Sequence, residues 1–493
     1  MFDLRARLAD LVTLDLRSLG LFRVGLGLLL FVDMVYRAVD VEAFYTDVGI
    51  RPLDSGIVRL GGGWTPLEET GALWLPVLLL VVLGLSALLV ASGRLWRVGL
   101  VGCWLTLQSF NLRNPLPLQV ADAIHLLLLM WAFFLPLGER FVLGRPRDPE
   151  GPLQVRSVTT VLFLLQLLWV YMVPGYYKAI EPHWTRGALL IEAAFIDPVA
   201  TGWLELLLGV PWLLEALSRV TPWFELFTPL LLLLPWWKGP VRTGLVLTFI
   251  GFHLLGIGMM LRLALVPFTL ALCWVPLVPG WAWERVGLAE DPGPGRPPLG
   301  LPGPAAVVIL VWGLGTFIPS AEHLVDARLP VPAFLRSAWH QTGLHQRRFS
   351  LWTRPAGNRL FMVAARLEDG RSVELHHGVP LDYAHPPRSP RNNHWYKTFQ
   401  QLRDHEPVRW GVARWHVHDW ERQHGPEARV EMVEVIVRQT PMMPPGWWTS
   451  GRWEDGLPEP AETRSLYEVV GEGAERVLER RTGQVDWSGL GPG

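Results

Sequence analysis

The stretch GYYKAIEPHW, from Gly175 to Trp184, places an amine, two phenols, a carboxylate and an imidazole directly after an apolar segment long enough to cross a bilayer. Its Lys178 is one of only three lysines, with Lys238 and Lys397, among 44 basic residues. Arginine keeps its proton in a protein, whereas a lysine held out of water can lose it, so Lys178 offers a titratable amine and could serve as a base. Two other readings stand beside that one. Lys178 could snorkel to the interface as an anchor, or Glu181 could pair with it and keep it charged. Tyr171, seven residues earlier, shares its face if the helix continues through Pro174-Gly175. Tyr177, Glu181 and Trp184 are its polar and aromatic neighbours in the same stretch.

Ionisable residues inside apolar spans are costly, and each is a functional candidate. In NLRNPLPLQVADAIHLLLLM, Asp122 and His125 are three apart and share a helix face. Such a pair could relay a proton or hold a metal, or it could cap a wetted helix start. His253 lies in FIGFHLLGIGMM between Gly251 and Gly256, where helices can approach closely, as a pocket residue or an interhelical hydrogen bond. Asp33 and Arg37 are four apart and read as a self-neutralising structural ion pair. The histidines of WHVHDW are two apart and point different ways on a helix, so no metal is expected there. Phosphate-binding glycine loops, GxSxG, HExxH and paired CxxC motifs are missing, and no metal cofactor is expected. Cys103 and Cys273, the two cysteines, lie in apolar stretches as packed thiols, which excludes a disulfide framework.

The elements that must position these groups follow from composition. The chain has 493 residues, 50% hydrophobic and 18% charged, with a mean hydropathy of +0.25. That is too apolar for an ordinary soluble protein and too charged to lie wholly in a membrane. A net charge of -1 gives no case for nucleic acid as a partner. Hydropathy predicts a polytopic α-helical membrane domain of eight or nine spans, near 18–38, 73–92, 95–112, 119–137, 157–177, 224–237, 241–260, 263–283 and 303–319. The expected divisions are an amphipathic N-terminal segment (1–16), the membrane domain (17–320), a soluble, β-rich α+β domain (321–450) and a loosely ordered tail (451–493). Within the soluble part, NRLFMVAARLEDGRSVELHH alternates around Asp369-Gly370, a hairpin signal. Basic residues in the short loops favour a cytoplasmic N-terminus in a cell membrane, which puts the C-terminal domain outside.

Several segments together resemble the HTTM group, the transmembrane domain shared by vitamin K-dependent gamma-glutamyl carboxylase and many bacterial proteins. They are LFRVGLGLLLFVDM with AFYTDVGIRP, FNLRNPLPLQVADAIHLLLLMWAFFLPLGERFVL, LQLLWVYMVPGYYKAIEPHWTRGALL, and FELFTPLLLLLP followed by FHLLGIG. The resemblance covers about residues 15–285 and extends more loosely to HQRRFSLWTRP and LEDGRSVEL. It implies a membrane-embedded pocket open to a reduced quinone of the vitamin K type, with Lys178 as the base that deprotonates it. Asp122 and His125 would be proton partners, and Tyr171, Tyr177, Glu181, Trp184 and His253 would line the pocket. Trp184-Thr185-Arg186-Gly187 stands where the family has Trp-x-x-Gly. Where the carboxylase branch carries a WNNHSYL-like stretch this chain reads PLQVADAIHLL, with Asp122 near the place of a histidine. The implied partners are membrane lipids and an exported peptide or protein substrate. A non-catalytic scaffold for peptide maturation is the other expectation.

Overall fold

The structure is a computed structural model that describes residues 10–54, 63–144, 153–236, 238–288, 303–344, 358–383, 385–387, 389–440, 461–470, 477–483 and 485. HQRRFSLWTRP and most of the Pro/Gly-rich stretch 290–304 lie outside these residues, as does the N-terminal segment up to residue 9.

The first half is a helical bundle. Its leading elements are α1 (Leu16–Ala38), α2 (Trp74–Ser92), α3 (Trp96–Arg113) and α4 (Val120–Phe134). Then come α5 (Val158–Ile180), α6 (Pro211–Phe227), α7 (Lys238–Met260), α8 (Val266–Leu272) and α9 (Gly303–Val325). Among the described residues, α1, α2, α5, α7 and the Val307–Val325 part of α9 are long and apolar enough to cross a membrane, while α4 is apolar but shorter. Two expected spans are not single helices. The 263–283 stretch divides into α8, a 3-10 turn at Val275–Leu277 and a short helix at Gly280–Arg285. Pro276 and Pro279 lack the amide hydrogens a continuous helix would need. The 224–237 stretch begins as the end of α6 and passes into a 3-10 segment at Thr228–Leu233.

Small residues and buried arginine set how the helices meet. A Cβ on Gly27 of α1 would stand 2.4 Å from the Ala91 backbone nitrogen of α2, so only glycine permits this crossing. At the end of α2, Gly93 turns the chain at φ +77°. Arg23 there donates to the Val90 and Ala91 carbonyls at 2.7 Å each and to Phe141 at 2.6 Å. Arg23 therefore adds donors at a helix end, where Val90 also accepts from the Gly93 amide at 3.2 Å.

The C-terminal part holds α10 (Ala333–Gln341), α11 (Asn393–Phe399), α12 (Glu406–His424) and an antiparallel sheet. The N-terminal strands β1 (Leu14–Asp15) and β2 (Gln154–Val155) pair separately. The sheet is β3 (Asn358–Leu367), β4 (Ser372–Glu374), β5 (Val379–Pro380), β6 (Val430–Thr440), β7 (Ala461–Val470) and β8 (Val477–Arg481), in the order β5-β4-β3-β6-β7-β8. The Asp369-Gly370 turn joins β3 to β4, with Gly370 at φ +88°. Phe361, Val363, Ala365 and Leu367 face α11 and α12, while Met362 and Ala364 face the other side, as period-2 alternation requires. β7 and β8 come from the segment expected to be loosely ordered. Its alternating AETRSLYEVV pairs along most of β6.

The sheet domain is not set apart from the bundle. Phe44, Tyr45, Ile50, Leu80 and Phe110 from the bundle share one core with Trp395, Phe399, Val412 and Trp415. Gly411 of α12 lies so close that a Cβ there would be 2.0 Å from the Ile50 carbonyl oxygen.

Candidate functional site

Lys178 lies in the last turn of α5 and is buried, with 4% of its surface exposed, so it does not snorkel to solvent. Its partner is Glu225 of α6 rather than Glu181. The ammonium donates to both carboxylate oxygens, at 2.7 and 2.6 Å, and Glu225 is equally buried. The local sequence explains the meeting. A Cβ on Gly175 would sit 2.8 Å from the Leu226 nitrogen and 3.1 Å from the Glu225 carbonyl carbon, so glycine lets α6 pass one turn below Lys178. The Trp184 ring lies 5.1 Å from the ammonium and adds a cation–π contact.

The pair forms part of the wall of a cavity of about 260 Å³ that is mostly apolar, lined by Val170, Leu217, Phe252, Ile257 and their neighbours. Tyr171, Lys178, Trp184 and His253, all expected around one pocket, line it together. Tyr177 and Glu181 do not. Tyr177 turns to α9, its ring 5.8 Å from His323, and Glu181 lies just past the end of α5, half-buried.

His253 sits on the π-helical turn Phe252–Ile257 of α7, a distortion that re-aims side chains and recurs at functional sites. Its Nε2 is 2.6 Å from the Tyr171 hydroxyl, which also accepts from Trp274 Nε1–H at 2.8 Å. Indole can only donate, so the Tyr171 hydrogen is best used toward His253 Nε2, which leaves the proton of a neutral imidazole on Nδ1. That Nδ1 is buried and has no hydrogen-bond partner among the described residues. Behind it, Trp274 and Phe249 stack at 3.9 Å and fix the tyrosine. His253 thus holds a buried donor with unspent capacity, and buried donors of this kind call for an acceptor.

Asp122 and His125 are not at Lys178. Asp122 is near the start of α4, where one carboxylate oxygen accepts from the Gln119 amide at 2.6 Å and the other takes the Arg37 guanidinium. Arg37 also donates to Asp33 at 2.9 Å and to the Tyr45 hydroxyl at 3.1 Å, so one buried arginine binds two carboxylates. His125 meets the Thr269 hydroxyl of α8 at 2.9 Å. Helix spacing put Asp122 and His125 on one face, but α1 covers the first and α8 the second, and neither lines the cavity.

The C-terminal domain also contributes to the cavity wall. Asn393 and Lys397 of α11 line it beside Gln119 and Val120. α11 is pinned there by four contacts. Asn392 Nδ2 donates to Asp40 at 2.6 Å, the Asn393 amide to the Tyr36 hydroxyl at 2.9 Å, and Asn393 Nδ2 to Gln119 at 3.0 Å. The His394 ring packs 4.4 Å from Tyr36, and burial pushes its imidazole down to about 3. Glu225, Asn393 and Lys397 were missed as site residues. The scarcity of lysine that drew attention to Lys178 applies equally to Lys397.

No protein-family model matches the chain, and no curated protein or solved structure matches it either.

Proposed function

We propose that this chain is an integral membrane enzyme that binds a lipid-soluble, hydroxyl-bearing molecule of the reduced-quinone class and moves a proton at Lys178–Glu225. The observation that carries the reading is a buried amine–carboxylate pair in the wall of an apolar cavity that His253 also lines, its Nδ1 without a hydrogen-bond partner among the described residues. The apolar lining suits a ring and chain, and the few polar groups would orient it. His253 would donate to one ligand oxygen. At the other, the ligand O–H bond breaks, its electron pair stays on oxygen, and the proton passes to Glu225. The Lys178 ammonium then faces the new oxyanion, so the pair works as acid–base unit and charge partner together. Vitamin K-type quinols are the class that the HTTM resemblance implies. The C-terminal domain would lie on the extracytoplasmic side, where an exported peptide or protein could meet the seam above the cavity.

The closed Lys178–Glu225 pair also supports a second reading, a scaffold in which the pair only locks α5 to α6. Binding separates the two. A menaquinone-type quinone should bind the protein in nanodiscs, and Gly256→Leu should abolish this. Gly256 lines the cavity, and a Cβ there meets only Phe252, at 3.8 Å, so the backbone leaves room to start a bulkier side chain on that wall. Absence of binding to the unmodified protein would leave the scaffold.

A further inference from the structure

The charged residues that line the cavity are Lys178, Glu225 and Lys397. The first two neutralise each other, which leaves the half-buried Lys397 as the one unpaired charge among the described lining residues. Lys397 has weak company: Gln400 Oε1 at 3.4 Å and the Tyr396 ring at 5.8 Å, with no carboxylate ion-paired to it among the described residues. A cation in such a setting is costly unless an anion joins it. We propose that Lys397 is a ligand-binding residue that recognises an oxyanion on the cavity's occupant, so that the site is shared between the bundle and the C-terminal domain.

This rests on the proposed quinol reading and deepens it, because proton transfer to Glu225 leaves a negative charge on the ligand, which Lys178 meets at that oxygen and Lys397 would balance from another element of the same cavity. Burial pushes the Lys397 amine below the ordinary lysine range, and a bound oxyanion would reverse that cost. The placement is enforced by sequence. Asn392 caps α11 through the His394 amide at 3.0 Å, and the contacts of Asn392 and Asn393 to Asp40, Tyr36 and Gln119 hold the helix over the cavity. One turn on from Asn393, Lys397 falls on the same face, toward the cavity.

The test compares two alkylated naphthoquinones of nearly equal shape, a 2-hydroxy compound that is an anion at neutral pH and its neutral 2-methoxy ether. In nanodiscs, the unmodified protein should favour the anion about tenfold, the scale of one favourable charge contact. Lys397→Met should abolish the preference while still binding the ether, and Lys397→Arg should keep it. Gly256→Leu should lose both ligands. Equal binding of both compounds by the unmodified protein, or a preference that survives Lys397→Met, would overturn the role of Lys397 and leave the cavity reading intact. Binding of neither compound would overturn the quinol reading itself, and with it this inference.

Discussion

Lys178 of α5 and Glu225 of α6, 47 residues apart in the chain, meet through both carboxylate oxygens at 2.6–2.7 Å, each almost wholly removed from solvent. Removing one partner strands the other charge in an apolar wall. Lys178→Met alone should therefore cost about 3–5 kcal/mol of stability. Lys178→Met combined with Glu225→Leu should recover most of it, because nothing charged is left unpaired. Denaturant titrations in a mild detergent would read this cycle, and a double variant no better than the single would show that the pair does not act as a unit.

The second buried cluster has a different balance. Arg37 serves Asp33, Asp122 and Tyr45 at once. Asp122→Asn keeps an acceptor for Arg37 and still leaves Asp33 as its counter-charge. Arg37→Met strands two carboxylates and should destabilise by several kcal/mol more. Equal losses in the two variants would mean that Asp122 carries the cluster.

Docking of the C-terminal domain depends on Gly411. A methyl group there would overlap the Ile50 carbonyl, so Gly411→Ala should push α12 away at a cost of about 1–3 kcal/mol. Faster hydrogen exchange in α11 and α12, with α2 and α5 unchanged, is the expected signature. Unaltered exchange would show that the interface accommodates the methyl group.

The C-terminal domain should lose stability in acid. His376 Nδ1 and His416 Nε2 are 2.9 Å apart, and His416 Nδ1 donates to the Val412 carbonyl, an arrangement that needs neutral rings. Burial lowers His416 to about 4, His394 to about 3, and His376 well below the usual histidine value. In the unfolded chain these groups take up protons near pH 6.5. Their contribution is therefore present above about 6.5 and lost as pH falls toward the folded values. His377 has the opposite sign. Burial works against its charge, but its hydrogen bond to Glu374 at 2.8 Å and the Glu374 charge raise it, so its contribution fades as pH rises. The neutral rings outnumber it, and thermal unfolding of the domain should begin earlier at pH 5 than at pH 7.5. A midpoint that rises on acidification would reverse the assignment.

Local pattern was legible and distant pairing was not. The alternation around Asp369-Gly370 identifies the β3–β4 hairpin, and the long apolar runs identify the helices that could cross a membrane. The broken 263–283 segment was hidden because hydropathy averages over Pro276 and Pro279. β7 was obscured by its polar, Pro-containing surroundings, although its own alternation was present. Tyr171, Lys178, Trp184 and His253 were grouped through the family resemblance, and all four line one cavity. Glu225 could not be matched to Lys178, because the close crossing of α6 over Gly175 of α5 sets the pair, and no spacing rule reports that. Asp122 and His125 shared a helix face in sequence yet answer to different neighbours, Arg37 and Thr269.

The most direct test of proton transfer at Lys178–Glu225 is the absorbance of a menaquinol-type naphthohydroquinone bound anaerobically in nanodiscs, since its ionised form absorbs at longer wavelength. The unmodified protein should show the ionised band at neutral pH, and Lys178→Ala and Glu225→Gln should each lose it while still binding the oxidised quinone. A bound quinol without that band, or a band that persists in both variants, would contradict the assignment of the pair as the proton-transfer unit.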